Sequence, residues 1–82
     1  MKLNDILNKD DRALFGVCSR VYGADFPAIK KEALQAAADA ARHAPEVKQA
    51  NIARRAINIV LIEALKRRGV NSWRECLERQ NQ

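Results

Sequence analysis

The stretch that most limits what this chain can become is "NIARRAINIVLIEALKRRG", residues 51–69. No proline interrupts it, no glycine occurs before its last residue, and its apolar side chains recur at three- and four-residue steps, the period of an α-helix. At about 100° per residue, Ala50, Ala53, Ile57, Val60, Leu61 and Ala64 form one continuous apolar stripe, read as the core face. A second group, Ile52, Ala56, Ile59 and Ile62, falls on another side, so the helix needs apolar cover from more than one direction. Either the other helices wrap around it, or the isoleucine stripe packs against a second copy in a two-fold homodimer.

Three further helical segments account for most of the remaining sequence. The first starts near Asn4 and is best defined from Asn8, an N-cap residue, with Asp10 and Asp11 in the first turn, where the helix dipole favours anions. Leu14, Val17, Cys18 and Val21 follow at helical spacing, and Gly23 fits the residue after the helix end. The second opens at "DFP", with Asp25 as cap and Pro27 in its first turn. Its alanines allow close helix packing, and Pro45 forces it to stop. The third runs from Pro45 to about residue 68, where Gly69 stops it. Ser72 and Glu75 have capping-box spacing and begin a short fourth helix that lays Trp73 on the third.

The predicted fold is therefore all-α: a compact bundle of three main helices and a short C-terminal one, with the third central. The 82 residues suffice for one domain, since a chain of this size could not support two independent cores. No alternating apolar and polar run marks a strand.

Charge is unevenly placed. Residues 1–41 hold six Lys/Arg and six Asp/Glu, whereas residues 42–82 hold nine and four, so the net charge of +5 lies wholly in the second half. A basic side of the fold and an anionic partner are implied. Lys48, Asn51, Arg55, Asn58 and Lys66 share a narrow strip of the third helix, bordered by Arg54. Arginine and asparagine on one helical face can reach phosphates and base edges. Lys66, Arg67 and Arg68 add positive charge where it also complements the helix C-terminus.

Other chemistry is poorly represented. "VCSRVYGADFPAIKKEAL" is a weak match to a helix-turn-helix, with Ser19 where a small apolar residue is usual and an alanine-rich second helix. The single histidine, His43, lies at a predicted helix end, and neither Cys18 nor Cys76 has a metal-spaced neighbour, so no metal, cofactor or enzymatic activity is expected. "MKLNDILNKD" lacks a signal-peptide core, and the longest apolar run is too short for a membrane span. The expectation is a cytoplasmic protein.

Two functions fit these features. One is a small duplex-DNA-binding regulator that uses Lys48, Asn51, Arg54, Arg55 and Asn58, aided by Lys66, Arg67 and Arg68. The other is a protein-binding inhibitor or adaptor that covers an acidic site, with Ile52, Ile59 and Ile62 as its interface. An exposed strip continuous with residues 66–68 would favour nucleic acid. Burial and pairing of Arg55 and Asn58, with an apolar patch left open, would favour protein.

Overall fold

The computed structural model describes residues 3–80 and the side chains of residues 5–78. Five α-helices follow one another: α1 (Leu3–Ile6), α2 (Lys9–Tyr22), α3 (Phe26–Arg42), α4 (Gln49–Arg67) and α5 (Trp73–Gln80). No strand occurs among the described residues. The all-α bundle read from the sequence is the fold observed.

Helix α2 begins as its sequence dictates. Asn8 Oδ1 accepts from the Asp11 backbone N–H at 2.8 Å, and Asp11 Oδ2 accepts from the Asn8 N–H at 3.1 Å, a reciprocal capping box. Leu14, Val17 and Cys18 are fully enclosed, and Tyr22 is buried at the far end. Gly23, at φ 53°, then turns the chain through a single 3₁₀ turn into α3. Asp25 does not cap α3 with its side chain; its carboxylate instead accepts from Arg68 at 3.0 Å.

Helices α3 and α4 form the most extensive pair among the described residues. Ala33 and Ala37 are buried and Ala41 is half-buried, and Ala53 of α4 is buried too. Side chains this small allow the two backbones to approach closely. The linker differs from expectation, because Pro45 precedes a 3₁₀ turn over Glu46–Lys48 and α4 starts only at Gln49. Its end follows the sequence. Gly69 has φ 83°, its N–H donates to Lys66 at 3.0 Å, and the Val70 N–H donates to Leu65 at 2.9 Å, which satisfies the last carbonyls.

The core stripe of α4 consists of Ala53, Ile57, Leu61 and Leu65. Ala50, Val60 and Ala64, placed on that stripe by the wheel, are only half-buried, and Leu65 replaces them at the centre. Cover comes from α1, α2 and α3, but it does not close around the helix. The short α5 leans chiefly on α2 rather than lying along α4, with Arg74 reaching Asp10 of α2 at 3.6 Å. One side of the central helix is left facing outward.

Candidate functional site

Two consecutive arginines mark the boundary between the inner and outer sides of α4. Arg54 points toward α2, where its Nε donates to Asp11 Oδ2 at 2.6 Å. Asn58, one turn later on the same side, donates its amide nitrogen to Asp11 Oδ1 at 2.8 Å. Asp11 is thus a buried carboxylate, only 3% exposed, that accepts from three donors, two on α4 and one at the N-cap of its own helix. Burial alone would raise its pKa, but the hydrogen bonds from Arg54, Asn58 and the Asn8 backbone outweigh it and hold the carboxyl below the ordinary value of 3.8. The same contact raises the pKa of Arg54.

This arrangement engages two members of the predicted nucleic-acid face in contacts within the fold. Arg54 and Asn58 tie α4 to α2. Asn58 Oδ1 is itself buried without a hydrogen-bond partner among the described residues, which confirms how far that side chain is withdrawn from solvent.

The outer side is different. Lys48, Asn51, Arg55 and Lys66 are all exposed, and neither Lys48, Arg55 nor Lys66 forms an ion pair among the described residues. Interleaved with them are Ile52, Ile59 and Ile62. Ile59 is 57% exposed and the other two are half-buried, while Val47, at the corner preceding the helix, is 87% exposed. Glu63 is the one carboxylate within the outer face of α4. Burial and pairing therefore divide the predicted strip: Asn58 is withdrawn with Arg54, and Arg55 remains outside beside open apolar surface.

At the C-terminal end of α4, Arg67 is exposed without an ion pair among the described residues. Arg68 folds back. Its guanidinium lies 4.6 Å from the centroid of the Tyr22 ring and reaches Asp25, so that it clasps the α2–α3 corner to the end of α4.

Cys18 is enclosed in the core, and desolvation pushes its thiol up to about 11, so the reactive thiolate is suppressed. His43 is exposed at the end of α3. No group of three or more potential metal-ligating side chains is assembled among the described residues, and none of their helices is long and apolar enough to cross a membrane. The second helix of the suspected helix-turn-helix presents Lys31, Glu32, Gln35 and Asp39 outward, a mixed-charge surface.

Comparison of the chain with family models, with curated proteins and with solved structures returned no match.

Proposed function

We propose that this chain is a protein-binding inhibitor or adaptor that covers an acidic, partly apolar surface of its partner with the outer face of α4. The observation that carries this reading is the mixture of apolar side chains and unpaired cations along one helical face: exposed Ile59, with half-buried Ile52 and Ile62, among Lys48, Arg55 and Lys66. Apolar side chains in the middle of a face gain nothing from phosphate oxygens, but they supply the dry centre of a protein interface, with charge placed around it. Withdrawal of Arg54 and Asn58 to Asp11 weakens the alternative, since it takes one phosphate donor and one base-reading amide from the strip.

The protein is assigned no catalysis and acts in a reducing, cytoplasmic setting, consistent with two free cysteines, one of them enclosed in the core. A duplex-DNA role retains one specific point in its favour. Lys48, Arg55, Lys66 and Arg67 are four exposed cations without ion pairs among the described residues, enough for non-specific attraction to a phosphate backbone.

Site-specific photocrosslinking in cells separates these readings. A photoreactive phenylalanine analogue at position 59 should give a discrete protein adduct, the same analogue at position 35 on α3 should not, and Arg55→Glu should abolish the adduct. A nucleic-acid adduct at position 59, or a protein adduct indifferent to Arg55→Glu, contradicts the proposal.

A further inference from the structure

The outer face of α4 has a shape as well as a composition. Ile52, Arg55, Ile59, Ile62 and Lys66 follow one another at steps of three, four, three and four residues. That alternation averages 3.5 residues, the seam spacing with which one helix packs along another. The row extends about 21 Å along a single straight element, counted at 1.5 Å per residue. It is a ridge. Four concavities of the described surface lie between α2 and α3, along the outer side of α3, at the α4–α5 turn, and where α3 meets Ile6 and Ala53, none of them lined by this row. A ridge of alternating knobs is covered by an element that lies along it.

Charge narrows the occupant. Arg55 and Lys66 are eleven residues apart on nearly the same line of α4, with Glu63 the one carboxylate on that face of the helix, and Lys48 stands in the 3₁₀ turn just before it. A second copy is a poor complement. Laid parallel, it would set each cation against its own equivalent. Laid antiparallel about Ile59, it would pair Arg55 with Glu63 across the axis, yet it would still bring two faces of net positive charge together and crowd Lys48 toward Lys66 at each end. Like charges juxtaposed across an interface disfavour the pairing.

Resting on the protein-docking reading above, we infer that the partner contributes an acidic amphipathic α-helix, packed along α4 with aliphatic residues at the seam and carboxylates opposite Lys48, Arg55 and Lys66. The long aliphatic stem of Arg55 completes the apolar seam between Ile52 and Ile59, while its guanidinium meets a carboxylate at the edge.

The probe is a labelled synthetic helix of about 21 residues, long enough to cover the row at 1.5 Å per residue, with leucine at seam positions and glutamate facing the three cations. A second peptide carries lysine at the glutamate positions. Fluorescence anisotropy with the full chain should show the acidic peptide binding about tenfold or more tightly than the lysine peptide, the ratio expected when charge complementarity sets specificity. Arg55→Glu should weaken the acidic peptide about tenfold and strengthen the lysine peptide, and Ile59→Ala should weaken both, as loss of a central apolar anchor does. Circular dichroism should be unchanged in both variants, because these side chains face outward.

Equal binding of the two peptides, or an acidic-peptide affinity indifferent to Arg55→Glu, overturns the inference. So does a dimer in sedimentation that dissociates on Ile59→Glu, which would give the face to a second copy. A protein adduct at position 59 whose partner peptide maps to a loop or strand overturns the helical partner alone. A nucleic-acid adduct there overturns the docking reading with it.

Discussion

Arg54 and Arg55 are neighbours in sequence, in one helix, with the same side chain, and they face opposite environments. A rotation of about 100° separates them. Arg54 enters a site prepared by another helix, where a buried carboxylate awaits it, whereas Arg55 projects from the side that no element covers. The difference teaches that a cation's role in this fold is decided by what stands across from it. Asp11 makes α4's inner polar residues structural. Its lack of an equivalent on the outer side leaves Lys48, Arg55 and Lys66 available to a partner.

Several substitutions would break or sharpen that contrast. The largest effect is expected in the inner apolar row: Leu61→Ala should destabilise by about 2–5 kcal/mol, because the enclosed side chain leaves a cavity that rigid neighbours fill poorly. Thermal unfolding would report it as a fall in Tm of about 10 °C or more for a chain of this size. Asp11→Ala should cost about 2–4 kcal/mol, since it strands the Asn58 amide and one helix N-terminal N–H together. Urea titration with both variants tests the order.

The same carboxylate predicts a pH dependence. Its pKa is depressed on folding, so its contribution is fully present above the unfolded value and is lost as pH falls through the lower folded value. Stability measured from pH 5 down to about pH 2 should therefore decline, and Asp11→Asn should flatten the part of that slope due to this group. Next in size is the arginine pair. Arg54→Gln should lower Tm measurably while Arg55→Gln leaves it nearly unchanged; equal shifts would erase the distinction between the two sides. The smallest effect on folding belongs to Ile59→Glu. At 57% exposure it should alter stability by no more than about 0.5 kcal/mol, although it should abolish docking on that face.

The sequence makes the helices legible because their signals are local. Asn8 with Asp11, Pro45, and Gly69 each determine a boundary through backbone chemistry within a few residues, and the apolar period places Ala53, Ile57 and Leu61 inside. Pairings across the fold are less accessible. Arg54 and Asn58 lie four residues apart on one side of a helix, and Asp11 stands among Asn8, Lys9, Asp10 and Arg12, a run that reads as an ordinary solvated helix start. Yet nothing local says that these groups meet, because 43 residues separate Asp11 from Arg54. Asp25 illustrates the same point: a good cap by position, it is drawn to Arg68 from the far end of α4. The docking of α5 also depended on tertiary geometry, since Trp73 fits any apolar surface and the turn after Gly69 decides which one it reaches.

The openness of α4 follows from that last detail. Had α5 lain along the isoleucine row, Ile59 would be core and the outer cations would frame a buried helix. Because α5 leans on α2, Ile59 remains uncovered and Ile52 and Ile62 only half-covered, and a chain of 82 residues has no further helix among those described with which to cover them.

The central claim, that the outer face of α4 serves protein rather than nucleic acid, is tested most directly by an anisotropy titration of labelled duplex DNA at several salt concentrations. The wild-type chain is compared with a variant carrying glutamine in place of Lys48, Arg55 and Lys66. The account predicts weak binding seen only at low salt and without sequence preference, as any basic protein shows. Tight binding that persists at about 150 mM salt, with a salt slope reduced by about 0.9 for each cation removed, would contradict it and return this face to DNA.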